Sequence, residues 1–427
     1  MIGKAVILST GDEITTGKVV DTNANYLADK LAEIGIDLVA VITVGDVADR
    51  LEWAWRTAIA MSDIVISTGG LGPTADDLTT ETIARIAGVK LWRDEATVDY
   101  MTRLFQAIGR PMPENNLRQA LFPEGATVIL NPLGTAPGFR MPVTLDGHIS
   151  TLVVLPGVPR EMKPMVENTV MPWIVAHRGA DTTYVTRIFQ TFGLSESALD
   201  QEVAGLISPH EAKVSFRASF PQISMRIRVE GKPDEAARKA DELAARVLSK
   251  ISDYVFAQGE TSMEEVVFRL FTEKTLTLAV AESCTGGLIG HRITNVPGAS
   301  RFLLGDFVTY SNDVKASVLG VSERTLKDHG AVSEECVREM AAGARSRTGA
   351  SVAIATSGIA GPDGGTADKP VGTVWVALSA EGKSAARRYP LRGTRDWIKL
   401  LASQIALDWL RRFVLGLPVE ESASFRR

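Results

Sequence analysis

Serine, lysine and tyrosine side chains in the C-terminal third of the sequence are of the types that hydrolyse amides. Ser283 precedes the segment Thr285-Gly286-Gly287, so its hydroxyl is predicted on a strand-to-helix turn beside N–H groups that can hold an oxyanion. No histidine is suitably placed as its base, but Lys315, in the pattern Tyr310-Ser311-Asn312-x-x-Lys315, would serve if burial lowers its pKa. The alternative is that Ser283 caps a helix and Lys315 is solvated.

Cys284 is a rival nucleophile at the same turn. No histidine or other activating group stands beside it in the sequence, so a buried, unreactive thiol is the favoured interpretation.

A glycine-rich segment in the N-terminal half is suited to binding phosphate. Gly69-Gly70-Leu71-Gly72 follows the apolar run Ile64–Ile66 and precedes a helical pattern. Glycines let backbone N–H groups approach an anion, and the helix start adds a positive dipole end. Asp76 and Asp77 would repel phosphate unless a divalent cation lies between, or unless one acts as a base. The segment therefore predicts metal-assisted chemistry on a phosphorylated ligand, with simple helix capping as the alternative.

Further polar residues stand where other strands of this half are predicted to end. Asp12 follows the strand Ala5–Leu8, and ligands in open α/β sheets gather at the carboxyl ends of strands, so Asp12 and Asp77 could share one crevice. Arg160 and Glu161 follow another strand and could meet phosphate and cation there. An ordinary turn aspartate and an ordinary helix start are the alternatives.

Composition excludes several classes of protein. A chain of 427 residues is long enough for about three domains. Its net charge of -5 argues against a nucleic-acid partner, and no apolar run approaches the roughly 20 residues that span a bilayer, so we expect a cytoplasmic protein. Two cysteines exclude a disulfide framework and a thiolate zinc cluster, and five scattered histidines leave carboxylates to hold any metal.

The order of apolar patterns predicts an α/β fold in three parts. Residues 1–175 alternate strand and helix patterns, which is typical of a doubly wound parallel sheet. Residues 176–257 predict a small α+β domain, with alternating residues at Ile223–Val229 and a charged helix from Asp234. Residues 258–417 predict a second α/β domain.

With these motifs in order, the chain resembles the CinA family of bacterial proteins along nearly its whole length. The motifs that carry the resemblance are Gly11–Ile14, Gly69–Asp77, Asn131–Phe139, Leu155–Glu161, Glu282–Gly287, Tyr310–Lys315 and Ser357–Pro362. The resemblance implies an N-terminal domain similar to molybdopterin-binding proteins, a KH-like middle domain and a C-terminal domain like the PncC deamidases.

The resemblance also implies two hydrolases that act in pyridine-nucleotide salvage. The N-terminal domain would cut ADP-ribose to AMP and ribose 5-phosphate with a divalent metal (Mg²⁺, Co²⁺ or Mn²⁺) and potassium. The C-terminal domain would release ammonia from nicotinamide mononucleotide without a cofactor. A homodimer is expected. The competing hypothesis is a non-catalytic pterin- or nucleotide-binding protein linked to competence or DNA damage.

Residue roles follow from the same resemblance. Ser283, Tyr310 and Lys315 would carry the deamidation, and Asp77 would be catalytic in the N-terminal domain. The residues expected to bind the deamidase substrate are Thr285, Gly286, Gly287, Ser357, Gly358 and Arg395. Those expected to bind the N-terminal substrate are Gly69, Gly70, Gly72, Thr74, Asn131 and Thr135. The expected metal ligands are Asp12, Asp76, Asp77 and Glu161.

Overall fold

The computed structural model describes residues 2–178 and 183–422. It divides into two compact units, one comprising Met1–Val185 with Glu230–Ala236 and the other Thr186–Val229 with Ala237–Arg427. Among the described residues, no helix has both the length and the apolar character needed to cross a membrane.

The first unit is built on a six-stranded sheet in the order β2-β1-β3-β8-β7-β6, beside a two-stranded sheet of β4 and β5. Its strands are β1 Lys4–Thr10, β2 Asp37–Val44, β3 Ile64–Thr68, β4 Leu91–Arg93, β5 Leu121–Pro123, β6 Thr127–Ile129, β7 Gly138–Leu145 and β8 His148–Leu155. β2, β1, β3 and β8 are parallel, whereas β7 runs antiparallel to both of its neighbours, β8 and β6. The predicted parallel sheet is therefore correct for these four strands and wrong at β7, which is reversed. The cause is a hairpin at Asp146-Gly147, where both residues have positive φ.

Helices cover both faces of this sheet. They are α1 Asp12–Thr15, α2 Thr22–Glu33, α3 Ala48–Met61, α4 Thr79–Ala87, α5 Glu95–Ala107, α6 Pro159–Met165 and α7 Met171–His177, with a 3-10 helix at Glu114–Ala120 and a π-helical turn at Val166–Val170. Successive side chains of β1 point to opposite faces. Val6 packs in the cluster that contains Trp55 of α3, and Ile7 packs in the cluster that contains Leu27 of α2. The sheet is thus buried on both sides, as the α/β fold class requires.

A middle module follows, with a four-stranded sheet in the order β10-β11-β9-β12. It consists of β9 Thr183–Thr191, α8 Glu196–Val203, β10 Lys213–Ser219, β11 Gln222–Gly231, α9 Pro233–Ile251, a 3-10 turn at Ser252–Tyr254 and β12 Val255–Gln258. β10 and β11 form an antiparallel hairpin. The predicted half-exposed strand and the charged helix correspond to β11 and α9.

The C-terminal module has a five-stranded sheet in the order β14-β13-β15-β16-β17. Its elements are α10 Met263–Glu273, β13 Leu278–Glu282, α11 Leu288–Thr294, β14 Leu303–Val308, α12 Asn312–Leu319, α13 Glu323–Asp328, α14 Glu334–Thr348, β15 Val352–Gly358, β16 Thr373–Ala380, β17 Lys383–Pro390 and α15 Arg395–Val414, with 3-10 turns at Ala299–Arg301 and Val419–Glu421. β14, β13 and β15 are parallel, and β16 and β17 are antiparallel. The carboxyl ends of β13 and β15 therefore lie side by side.

Candidate active sites

Ser283 lies at the carboxyl end of β13, at the point where the chain turns into α11. Its N–H donates to the carbonyl of Thr356 on β15 at 3.0 Å, which continues the parallel pairing by one residue. Gly286 and Gly287 then take φ values of 62° and 90°, a conformation that favours glycine because it has no Cβ. The turn holds Ser283 at the tip of the strand, with 8% of its surface exposed.

Lys315 reaches Ser283 from α12, whose N-cap is Ser311. Its Nζ lies 3.1 Å from Ser283 Oγ, 2.8 Å from the carbonyl of Thr309 and 3.1 Å from the carbonyl of Tyr310. Lys315 is 1% exposed, and this burial lowers the pKa of its amine. Within the described chain no carboxylate forms an ion pair with Lys315. A neutral amine can donate one N–H to each carbonyl and offer its lone pair to the Ser283 hydroxyl.

Tyr310 contributes two different groups to this region. Its carbonyl accepts from Lys315, whereas its hydroxyl accepts from a guanidinium nitrogen of Arg395 at 2.9 Å. Arg395 also donates to the carbonyl of Gly361 at 2.7 Å. The structure thus brings Tyr310 and Arg395 together, with the Tyr310 hydroxyl held by Arg395.

Several groups expected to bind substrate are engaged within the protein. The Gly286 N–H donates to the Ser283 carbonyl at 3.1 Å, and the Gly287 N–H donates to Glu282 Oε2 at 2.9 Å. The Thr285 and Thr356 hydroxyls share a hydrogen bond of 2.8 Å. By contrast, the N–H groups of Cys284 and Thr285 donate to no backbone carbonyl in the described chain, and both point to the sulfur of Cys284.

The two expected residues on β15 are also packed against protein atoms. The Ser357 hydroxyl donates to the Ala331 carbonyl at 2.7 Å. A Cβ on Gly358 would lie 2.8 Å from the Thr373 carbonyl oxygen, so this position admits only glycine without a shift. Both residues shape the carboxyl end of β15.

Lys399 is a cation that the sequence analysis missed. Its Nζ lies 3.9 Å from the position that a Cβ on Gly286 would occupy, and no carboxylate in the described ranges pairs with it. Arg395 and Lys399 are four residues apart on α15 and therefore share a side of that helix. The Arg-x-x-x-Lys spacing was visible in the sequence, but its location beside the Ser283 turn was not.

A buried acidic pair lies behind the same turn. Glu282 is fully buried, and its carboxylate accepts from the N–H groups of Gly287 and Gly290 at 2.9 Å each. Burial, together with the charge and hydrogen bonding of Glu282, raises the pKa of Asp306 to about 7. Asp306 therefore keeps its proton at pH values where an ordinary aspartate is ionised.

The second candidate site is a cavity of about 590 Å³ at the carboxyl ends of β1 and β3 in the first unit. The predicted residues that line it are Gly69, Gly70, Gly72, Asp76, Asp77, Thr135 and Glu161. Thr74, Asn131 and Asp12 do not line the cavity but form hydrogen bonds with lining residues. Glu13 and Asp46 line the cavity without having been predicted.

Asp12 is connected to the cavity by hydrogen bonds with Asp46, which lines it. The Asp46 N–H donates to Asp12 Oδ1 at 3.2 Å, and the Asp12 N–H donates to Asp46 Oδ2 at 3.1 Å. Burial raises the pKa of Asp46, and the charges of Asp12, Glu13 and Asp76 add to the effect. The cavity therefore concentrates negative charge, which a cation would relieve.

Asp77 is fixed by its own loop. Its Oδ2 accepts from the N–H of Thr74 at 2.9 Å and from the Thr74 hydroxyl at 2.6 Å. Arg118 donates to the Thr74 carbonyl at 2.9 Å and forms an ion pair with Glu81 at 2.8 Å, so it connects this loop to α4. Asp77 Oδ1 stays available to a ligand.

Asn131 orients Glu161. Its amide Nδ2 donates to Glu161 Oε2 at 2.8 Å and to the Ala136 carbonyl at 2.9 Å. A Cβ on Gly134 would lie only 2.1 Å from Glu161 Oε2, so the absence of a side chain there makes room for the carboxylate. The Asn131–Gly134 turn thus aims Glu161 into the cavity wall.

The cavity acids are suited to a hard divalent cation, because such ions prefer carboxylate oxygens. Within residues 2–178 and 183–422, no three His, Cys, Asp or Glu side chains are grouped as a preformed metal site. Asp46, Asp76, Asp77 and Glu161 could supply part of a ligand set, with water and phosphate oxygens as the remainder.

Three family models show that this modular α/β protein is of the molybdopterin-binding and CinA type. Residues 6–176 match the probable molybdopterin binding domain, 186–257 the damage-inducible protein CinA KH domain, and 260–414 the CinA C-terminal domain.

Relatives cover the whole chain. A CinA-like protein of Geotalea uraniireducens is 41% identical over 97% of this chain and 98% of its own length. A putative competence-damage inducible protein of Caldanaerobacter subterraneus is 39% identical over 97% of this chain and 99% of its own length. A CinA superfamily protein from Klebsiella pneumoniae, known from a crystal structure, is 34% identical in sequence. The match covers 36% of this chain and 99% of that protein's chain, with a TM-score of 0.35. The chain belongs to the CinA family.

Proposed function

We propose that this CinA protein is a bifunctional hydrolase of pyridine-nucleotide fragments. The C-terminal module would deamidate nicotinamide mononucleotide, and the N-terminal cavity would cleave the diphosphate of ADP-ribose. The observation that carries the proposal is the 3.1 Å approach of the buried Lys315 amine to the Ser283 hydroxyl.

The deamidation would proceed through an acyl-enzyme. Neutral Lys315 takes the Ser283 proton as Oγ attacks the carboxamide carbon. The resulting lysine ammonium gives its proton to the leaving nitrogen, which departs as ammonia. Water, deprotonated by Lys315, then attacks the ester, and the proton returns to Ser283 Oγ as the carboxylate product leaves.

Arg395 and Lys399 would recognise the substrate phosphate. Both lie on one side of α15, and Lys399 is next to the Gly286 turn, so a phosphate could accept from both cations while the carboxamide lies at Ser283. Arg395 would also orient the Tyr310 hydroxyl towards the substrate.

Ammonia release from nicotinamide mononucleotide by the purified protein tests this half. We expect turnover without added metal. Ser283→Ala should abolish it, and Cys284→Ala, which keeps the turn and the nucleophile, should retain it. Failure of wild-type protein to release ammonia would refute the deamidase assignment.

For the N-terminal cavity, the acids on its wall support metal-assisted cleavage of a diphosphate. A divalent cation held by Asp46, Asp76, Asp77 or Glu161 would neutralise phosphate charge and lower the pKa of a bound water. Asp77, fixed by Thr74, would orient or deprotonate the attacking water through its Oδ1. In the glycine-rich turn 69–72 the absence of side chains would let the phosphates approach the backbone.

Cleavage of ADP-ribose in the presence of Mg²⁺, Co²⁺ or Mn²⁺, with and without K⁺, tests this half. Asp77→Asn keeps the hydrogen bond acceptor for Thr74 but cannot act as a base, so AMP formation should fall by about 10²-fold or more. Unchanged cleavage in Asp77→Asn would remove Asp77 from the mechanism.

One observation favours a second function for this cavity. Residues 6–176 match the probable molybdopterin binding domain, so the cavity could bind a pterin or nucleotide without turnover. Calorimetry would then detect ADP-ribose binding in protein that forms no AMP with any of the three metals.

We also propose that the protein works as a cytoplasmic homodimer, because both substrates are soluble intracellular nucleotides and the family resemblance implies pairing. Light scattering on the purified chain should give twice the monomer mass of 45.9 kDa.

A further inference from the structure

An aromatic pair joins the middle module to the first turn of α15. The rings of Phe220 and Trp397 are stacked, with centroids 4.3 Å apart and planes inclined by 22°. Phe220 lies in the two-residue turn of the β10–β11 hairpin, between the paired residues Ser219 and Gln222. Both side chains keep substantial exposure, 41% for Phe220 and 53% for Trp397, so the pair is a surface contact and not part of a core.

The first turn of α15 has few other attachments. Residues 392–397 are all exposed, and burial of the helix begins only at Ile398. Thr394, the N-cap, makes no side-chain capping hydrogen bond, so the helix start lacks a common source of stability. The hydrogen bonds of Arg395 and the stack of Trp397 on Phe220 both hold this turn.

The same turn carries the cations assigned above to the substrate phosphate. Arg395 is the first residue of α15, and Lys399 lies one turn further along, beside Gly286. A shift of the helix start would therefore move Arg395 away from Tyr310 and change the distance from both cations to Ser283. Small displacements of positioning groups can cost large factors in rate or affinity.

The middle module is also attached at the far end of α15. Arg411 and Arg412 each donate to the carbonyl of Asp253 at 3.2 Å, directly before β12. The module thus contacts both ends of a 20-residue helix, which spans about 30 Å. Because the sheet of the module connects β12 to the β10–β11 hairpin through β9, a module held at the far end of α15 can also restrain the helix start.

We propose that Phe220 and Trp397 are positioning residues through which the middle module holds Arg395 and Lys399 in place for a phosphorylated substrate. The inference rests on the proposed deamidase and adds a specificity role for the β10–β11 hairpin. Neither aromatic ring contacts the reacting atoms in this account. Their loss should weaken recognition of the phosphate and leave the chemistry at Ser283 intact.

Kinetics of the full-length protein test the proposal with two substrates, nicotinamide mononucleotide and the phosphate-free nicotinamide riboside. In Phe220→Ala we expect KM for the mononucleotide to rise about tenfold, because a charge-assisted contact with the phosphate would be lost. The kcat should change by less than about twofold. The kcat/KM for the riboside should not change. Phe220→Tyr should restore wild-type values, and Trp53→Ala, which removes an exposed tryptophan from α3, serves as control. An unchanged KM, or equal losses for both substrates, would overturn the proposal.

Hydrogen exchange supplies a readout that does not need turnover. Amides of residues 398–401 should exchange about tenfold faster in Phe220→Ala, because the Ile398 N–H donates to the Thr394 carbonyl and the helix start would open more often, while amides of β13 keep their rates. Unaltered exchange at 398–401 would overturn the positioning role even if the enzyme is active. If the wild-type protein releases no ammonia, the deamidase proposal fails, and the exchange result still decides whether the hairpin restrains α15.

Discussion

The carboxylate of Glu282 accepts a hydrogen bond from the N–H of Gly287 at 2.9 Å. This contact fastens the turn that follows the candidate nucleophile to the end of β13. Asp306 lies beside the same carboxylate on the neighbouring strand, with its pKa raised to about 7 by burial and by Glu282. The stability of the Ser283 turn is therefore linked to a proton on Asp306.

The first prediction concerns that proton. From about pH 4 to pH 7 the unfolded chain loses the Asp306 proton while the folded chain keeps it, because the pKa rises from 3.8 to about 7 on folding. The free energy of unfolding contributed by this residue therefore falls as pH rises through this window. The side chain of Asp306→Asn cannot ionise, so the free energy of unfolding of this variant should depend less on pH. Relative to wild type, the variant should therefore gain stability between pH 5 and pH 8. Chemical denaturation at several pH values measures this, and equal slopes for both proteins would contradict it.

The second prediction concerns the protonation of Lys315. Because the base must be neutral and burial lowers its pKa from 10.5, the deamidase kcat should rise with pH and reach its plateau below the range of an ordinary lysine. Lys315→Arg keeps a charged donor that does not deprotonate in proteins. It should be inactive at every pH. A pH-independent kcat, or an active arginine variant, would show that Lys315 is not the base.

The third prediction concerns the two thiols. Burial raises the pKa of Cys284 to about 12 and that of Cys336 to about 11. Only the thiolate reacts with alkylating agents, so native protein at pH 8 should resist iodoacetamide and keep its deamidase activity, whereas denatured protein should label at both residues. Rapid labelling of Cys284 with loss of activity would return it to consideration as the nucleophile.

The fourth prediction concerns the amide that holds Glu161. Asn131→Ala removes the donor to Glu161 and to the Ala136 carbonyl, and a buried acceptor left without its donor costs about 1–3 kcal/mol. ADP-ribose cleavage should fall, while ammonia release from the other half stays at its wild-type rate. Assaying both reactions on one preparation provides the internal control. Equal losses in both would indicate general unfolding and not a role for Asn131.

Local sequence patterns were sufficient for much of the fold. The apolar faces of the helices and the strand-turn-helix character of Gly69–Gly72 and Ser283–Gly287 follow from residue spacing and turn chemistry. The sequence analysis did not predict the β7–β8 hairpin, although Asp146-Gly147, where both residues have positive φ, is a strong hairpin signal.

The long-range parts of the sites were harder to predict. Asp46 enters the cavity through its exchange of hydrogen bonds with Asp12, 34 residues away. Lys399 meets the Gly286 turn only because α15 packs back on the sheet. Contacts of this kind depend on tertiary packing, which no single-sequence periodicity encodes. The chemical roles of the residues that the fold does bring together stay predictions.

The most direct test of the account is single-turnover ammonia release from nicotinamide mononucleotide by Ser283→Ala and Lys315→Met, each compared with wild type. The account predicts ammonia from wild type and a loss of about 10³-fold or more in both variants, with folding retained, because each removes one member of a nucleophile–base pair. Ammonia release by Ser283→Ala at a rate near that of wild type would contradict it.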